Sequence, residues 1–153
     1  MENEKLKSII ESWEPNAEIS FENLQFLTVV VGPDQLHDLA EKLHSDPQTN
    51  FNFLLCLSGV DYKDYMEVVY HLRNQETFEE MVLKAKIPTR TNPEIPTVCD
   101  IWKAAEWHER EVYDLFGIRF THHPDLRRIL LDDDWEGYPL RKDYVDTVNI
   151  VSY

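Results

Sequence analysis

The sequence predicts an α+β domain, a mostly antiparallel sheet with helices on one face, followed by an irregular extended C-terminal tail. Three observations lead there. Helical and strand-like apolar spacings follow one another as helix, two strands, helix, three strands, helix, an order that suits one sheet covered by its helices. The three central strand-like runs, between residues 51 and 87, are separated by short polar turns, which makes them antiparallel neighbours. Beyond Gly117, Pro124, Gly137 and Pro139 interrupt any regular period while Leu, Ile, Trp and Arg remain frequent. The chain is therefore divided into residues 1–116, an α+β domain ending in a charged helix, and residues 117–153, an extended tail suited to an interface.

In order, Glu2 to Trp13 places Leu6, Ile9, Ile10 and Trp13 on one helical face, and Pro15 closes it. Ile19–Phe21 and Phe26–Val31 form a hairpin joined by Glu22 to Gln25. A second helix begins at Gly32-Pro33-Asp34, with Leu36, Leu39, Ala40 and Leu43 on its inner face. Phe51 to Leu57 is apolar nearly throughout and reads as a strand covered on both faces. Met66, Val68, Tyr70 and Leu72, then Met81, Leu83, Ala85 and Ile87, alternate with their neighbours and complete a meander. After a proline-interrupted connector from Pro88 to Pro96, Thr97 is the expected N-cap of a helix running to about Phe116, with Gly117 as its stop. On that helix Ile101, Ala105, Val112 and Leu115 are expected to face the sheet, and Glu106, Arg110 and Asp114 to form an i,i+4 charge ladder.

The formal net charge is −14 over 153 residues, carried almost wholly by the first 116. So acidic a body repels nucleic acid and anionic lipid. The nearly neutral tail is better suited to meeting another protein. Cys56 and Cys99 form no CxxC pair and are expected to be small buried hydrophobes in a reducing compartment. No apolar run is long enough to cross a bilayer, and Met1-Glu2-Asn3-Glu4-Lys5 contains no signal-peptide core.

Familiar catalytic patterns fail on spacing. His108-Glu109 lacks a second His at position 112, which is Val, so no zinc-protease helix is present. His122 and His123 are adjacent and do not converge easily on one metal. Two isolated cysteines cannot hold an all-Cys iron–sulfur cluster, and four glycines in no phosphate-loop pattern supply no nucleotide or flavin site. Glu109 and Glu111 as an acid–base pair lie two helix positions apart, and at about 100° per residue they point to nearly opposite sides.

The tail is the informative stretch. Ordinary loops are polar, yet this one carries Leu126, Ile129, Leu130, Trp135 and Leu140 beside Arg127, Arg128, Arg141 and Lys142. Arg and Trp are favoured at interfaces. The expectation is a strap whose apolar and cationic groups are satisfied by a different molecule.

The run Glu109-Arg110-Glu111, then Asp114-Leu115-Phe116, then His123-Pro124 with Leu126, Arg127, Arg128, Ile129 and Leu130, resembles the signature of the 30 kDa (C-type) subunit of respiratory complex I, the proton-pumping NADH:quinone oxidoreductase. The continuation through Trp135, Gly137, Pro139, Leu140, Arg141, Lys142 and Asp143 is similar to that family's second block. The resemblance implies a non-catalytic, cofactor-free peripheral-arm subunit, with FMN and iron–sulfur clusters on other subunits. Its tail would wrap the D-type quinone-site subunit and approach the B- and I-type subunits, on the cytoplasmic face of the cell (inner) membrane if the source is bacterial. Neither nucleic-acid binding nor direct membrane insertion is implied. Family members often carry longer ends or are fused to the D-type subunit, so contacts made by such extensions are not expected of these residues. Two other readings remain: the equivalent subunit of a related membrane-bound hydrogenase or ferredoxin-linked complex, and a stand-alone hydrolase using Glu109 and Glu111.

Overall fold

A computed structural model describes residues 2–146 of the chain. Helix α1 (Asn3–Trp13) leads into the hairpin β1 (Glu18–Ser20) and β2 (Leu27–Val31), then α2 (Pro33–Ser45). The meander β3 (Phe53–Asp61), β4 (Met66–Arg73) and β5 (Glu80–Ile87) follows, then β6 (Glu94–Pro96), α3 (Ala105–Phe116) and β7 (Arg119–Thr121). The main sheet has the order β1-β2-β5-β4-β3 and is antiparallel except where β2 lies parallel to β5. That parallel pair joins hairpin to meander, and α2 is part of the connection between them, as parallel neighbours require.

One face of the sheet is the core face. Leu27, Val29 and Val31 align with Met81, Leu83 and Ala85, and these with Leu72, Tyr70 and Val68. All share one cluster with Leu6 and Ile10 of α1, Leu36, Leu39, Ala40 and Leu43 of α2, and Ala105 and Val112 of α3. The period-2 alternation of the strands thus selects the face on which the 3.6-period stripes of the helices are buried. The start of α2 is fixed by Gln35, whose Oε1 accepts the Gly32 N–H at 3.1 Å, with Pro33 at the first helical position.

Several expectations are corrected. β3 is not covered on both faces: it is an edge strand, with Phe53 and Leu55 41% and 38% exposed. β4, which lies between β5 and β3, is the more fully buried strand. The last helix starts at Ala105 rather than after Thr97, since residues 98–104 form tight turns in which the Ile101 and Trp102 amides return to the Val98 carbonyl at 3.0 and 2.9 Å. Cys56 and Cys99 are both half-buried free thiols rather than core residues.

Beyond Gly117 the chain does not leave the body at once. β7 pairs parallel with β6, Ile95 opposite Phe120, and Ile118 and Phe120 enter the core. The irregular tail begins only after Thr121. Residues 147–153 of the expected tail lie outside the described residues.

Close approach between α3 and the sheet occurs at Gly59 on β3. A Cβ there would stand 2.8 Å from the Phe116 ring and 3.0 Å from Val112. The absent side chain lets α3 settle against β3 and brings the C-terminal end of the helix to the edge of the domain.

Candidate functional site

The C-terminal end of α3 is the point on which the tail is anchored. A helix leaves its last carbonyls without intrahelical partners, and the last turn of α3 holds no basic residue to meet them. Other residues supply the donors. Gly117 N–H reaches the Tyr113 carbonyl at 2.8 Å with Gly117 at φ 73°, Arg128 Nη1 donates to the Asp114 carbonyl at 2.8 Å, Leu140 N–H to Leu115 at 3.0 Å, and Arg141 Nε to Phe116 at 2.6 Å. Two guanidinium groups thus sit at the negative end of the helix dipole.

The Asp114 side chain organises the same region. It is fully buried; Oδ1 accepts Arg128 Nη1 at 2.8 Å, and Oδ2 accepts the amides of Ile129, Leu130 and Leu131 at 3.2, 2.7 and 3.0 Å. Burial alone would raise this carboxyl; the Arg128 guanidinium and the three amides outweigh it and hold it below the ordinary 3.8. Arg128 also donates Nη2 to the Trp135 and Gly137 carbonyls at 3.0 and 2.9 Å. Its planar fork therefore ties two turns of the tail to one helix end.

Tyr138 packs between Arg128 and Arg141, whose guanidinium carbons stand 5.0 and 5.1 Å from the ring centroid. Its ring also covers Gly117, where a Cβ would meet it at 2.6 Å. Gly117→Ala is expected to cost about 1–2 kcal/mol for the left-handed backbone alone, with further loss as Tyr138 is displaced. Equilibrium urea unfolding with tyrosine fluorescence measures both, and an unchanged midpoint would contradict it.

A second anchor lies at the end of β3. Asp61, 4% exposed, accepts Arg90 Nη2 at 2.6 Å, the Lys142 amide at 2.9 Å and the Lys63 amide at 2.9 Å. Burial raises its carboxyl, but the Lys142 and Lys63 amides and Arg90 draw it below 3.8. Sequence reasoning missed both Asp61 and Arg90. The only signal was a carboxylate closing an apolar strand.

The charged face of α3 differs from expectation. Arg110 pairs with neither Glu106 nor Asp114 among the described residues; it donates to the Arg127 and Arg128 carbonyls at 3.2 and 3.1 Å and lies over Trp107. Tail carbonyls win because they reach the buried guanidinium, 6% exposed, where a solvated ladder would not. His123 accepts the Asp125 amide on Nδ1, which leaves its Nε2–H to donate to the Glu106 carbonyl at 2.9 Å. The strap's Arg128 is therefore neutralised by this chain itself, contrary to the expectation of a foreign partner for it, whereas Arg141 donates to carbonyls and is given no counter-charge among the described residues.

Glu109 is fully buried, accepting the Thr97 hydroxyl at 2.5 Å and the Val98 amide at 2.8 Å. Thr97 thus joins α3 to β6 instead of capping a helix. Glu111 is exposed, so the two glutamates do not converge on a substrate position. Phe116, Leu115, Leu126 and Pro139 are half-buried, and Pro124, Gly137, Lys142 and Asp143 exposed. Arg127 is exposed and paired with Asp125 at 3.0 Å. The apolar side chains of the tail point outward: Ile129 39%, Leu130 63%, Trp135 38% and Leu140 52% exposed.

Among the described residues His37, Asp38 and Glu41 on α2 bring ligand atoms within 4.8 Å of one another. They lie at the surface, and His37 Nε2 is already held by Asp100 at 2.8 Å. No helix of the described residues is long and apolar enough to cross a membrane.

Residues 29–148 match the family profile of the respiratory-chain NADH dehydrogenase, 30 Kd subunit. The chain is 47% identical over 120 residues to the C-type subunit of NADH-quinone oxidoreductase from Roseiflexus sp. (strain RS-1), covering 76% of this chain and 68% of that one. It is 49% identical over 116 residues to the C/D-type subunit of NADH-quinone oxidoreductase from Phocaeicola vulgatus, covering 72% of this chain but only 22% of that longer protein. Among solved structures, a chain of the membrane-bound sulfane sulfur reductase, an archaeal respiratory membrane complex, superposes with a TM-score of 0.79 at 32% identity, covering 95% of this chain and 86% of that one. A profile match over residues 29–148, with relatives at this level of identity, shows that the chain belongs to the 30 kDa subunit family of respiratory-chain NADH dehydrogenase.

Proposed function

We propose that the chain is a cofactor-free peripheral subunit of an NADH:quinone oxidoreductase, acting in assembly and in placing the quinone-site and iron–sulfur subunits. The observation that carries the reading is the division of labour in the tail. Its polar backbone and arginines are fixed to α3 and Asp61, while Ile129, Leu130, Trp135 and Leu140 are left facing outward. Such a pre-shaped apolar ridge loses little conformational entropy on docking. A D-type subunit is the first partner, in keeping with a relative named for both the C and the D types; contacts to B- and I-type subunits extend the same surface. FMN and iron–sulfur clusters then reside on other chains, and the subunit sits peripherally, on the cytoplasmic face in a bacterium.

Affinity isolation from native membranes tests this. Co-purification of D-type and iron–sulfur subunits is expected, and recovery of the chain alone would overturn it. A related assembly with a different electron donor or acceptor is favoured by the likeness to the sulfane sulfur reductase chain. The presence or absence of NADH-oxidising flavoprotein subunits in the same isolate separates the two.

Leu130→Ala and Leu140→Ala should each leave the isolated chain within about 0.5 kcal/mol of wild type, since both residues are more than half exposed. Both should lower incorporation into the complex. Normal assembly of the double variant on native gels would count against the ridge.

A further inference from the structure

Between the connector entering β6, the end of α3 and the tail lies a cavity of about 640 Å³ whose walls include Arg90, Arg119, Arg141, Tyr113, Tyr138 and Asn92. Its only acidic lining residue among those described is Asp143, on a molecule whose formal charge is −14. Arginines gathered in a concavity focus a local positive field that the acidic body does not share.

The three guanidinium groups are not equally occupied. Arg90 is paired with Asp61 and Asp143 at 2.6 and 3.3 Å. Arg141 donates to carbonyls only, at 2.6 Å to Phe116 and 3.5 Å to Arg90, which uses donors without cancelling charge. The guanidinium of Arg119, exposed on β7, makes no hydrogen bond or ion pair among the described residues; Glu94, its register neighbour on β6, forms no ion pair with it. Two cations therefore stand without a counter-charge among the described residues of one cavity.

We propose that this cavity receives a carboxylate-bearing segment of the D-type partner, with Arg119 as the principal contact and Arg141 as the second; this rests on the subunit reading above. Guanidinium forks match carboxylates in a bidentate geometry. The acidic body disfavours an anionic membrane surface as the occupant. Continuity favours a polypeptide. Arg141 directly follows Leu140, which is 52% exposed, so an occupant with both a carboxylate and an adjoining apolar side chain satisfies cavity and ridge together, which a free anion does not.

The full chain, as wild type, Arg119→Lys and Arg119→Glu, is titrated against the purified D-type subunit of the same complex at low and physiological salt. Arg119→Glu is expected to weaken binding by roughly tenfold or more at low salt and to reduce its salt dependence, with Arg119→Lys intermediate. Thermal unfolding of the variants should match wild type. Equal affinity of wild type and Arg119→Glu would overturn the cavity assignment and leave the subunit reading standing, whereas failure of wild type to bind would sink both. A photo-crosslinking residue at position 119 should attach to a segment of the D-type subunit containing Asp or Glu. Attachment to an acid-free segment, or to residues 147–153 of this chain, would overturn the proposal, as would binding of wild type to phosphatidylglycerol vesicles that Arg119→Glu abolishes.

Discussion

Asp114→Ala is expected to destabilise the protein by about 3–5 kcal/mol and to release the tail from α3. The carboxylate is fully buried and serves Arg128 together with three consecutive amides. Its removal leaves Arg128, whose side chain is only 10% exposed, without its counter-charge. It also strips the acceptor from the Ile129–Leu131 amides, and buried donors without partners are costly. The cheapest relief is for the tail to lift off and rehydrate those groups. The substitution should therefore appear both as a lower unfolding free energy and as rapid tryptic cleavage after Arg127 and Arg128. Arg128→Ala should act in the same direction, because that guanidinium closes the Asp114 carbonyl and the Trp135 and Gly137 carbonyls at once. The double variant should lose less than the two single losses added, by about 0.5–3 kcal/mol, as befits two members of one network. Unchanged proteolysis and an unfolding free energy within about 0.5 kcal/mol of wild type, a margin typical of surface sites, would refute the anchoring role.

How much of this was legible in the sequence depends on how far apart the interacting groups lie. α1, α2 and the hairpin β1–β2 were readable because their periodicities, Pro33 and the intervening turn are local. Coverage of β3 was misread because its place at the sheet edge depends on β2 docking parallel to β5. No local pattern records that distant pairing. Thr97 was read as an N-cap since a hydroxyl before a helix is equally compatible with capping the next turn or with meeting a carboxylate farther along the chain. The structure takes the second course, with Glu109.

Tail composition did identify residues that an ordinary loop would not carry, but composition does not say who satisfies them. Arg128 and Arg141 close the carbonyl end of α3, while the apolar side chains beside them face outward. A helix whose last turn lacks basic residues, followed by a tail holding several arginines, is the one sequence clue to that outcome. Asp61 and Lys142 meet from distant parts of the chain, 81 positions apart, and nothing in either segment announces it.

Glu109→Gln should remove a pH dependence that the wild type shows. Burial is the largest influence on this carboxyl; the Thr97 hydroxyl and Val98 amide partly offset it, Asp100 adds to it, and the result is a rise from 4.5 to about 7. The sign follows from proton uptake. Between those two values the folded chain holds a proton that the unfolded chain has released, so stability falls as pH rises through that window and the cost is complete above it. The rise corresponds to about 3 kcal/mol. Asp61 and Asp114 act in the opposite sense: their contribution is full above 3.8 and is lost as pH falls through their depressed values. The three groups thus pull in opposite directions: Glu109, a glutamate without a counter-charge that holds β6 against α3, favours acidity below its raised value, and the two aspartates disfavour it. The glutamine of the substituted chain keeps an acceptor for the Val98 amide and a polar group for Thr97 yet has nothing to ionise. The unfolding free energy of wild type should therefore decline from about pH 5 to about pH 8 while that of Glu109→Gln stays level, the variant being the more stable at the upper end by about 3 kcal/mol. Parallel curves for the two proteins would show that the carboxyl is charged throughout and that its burial is compensated by something other than a proton.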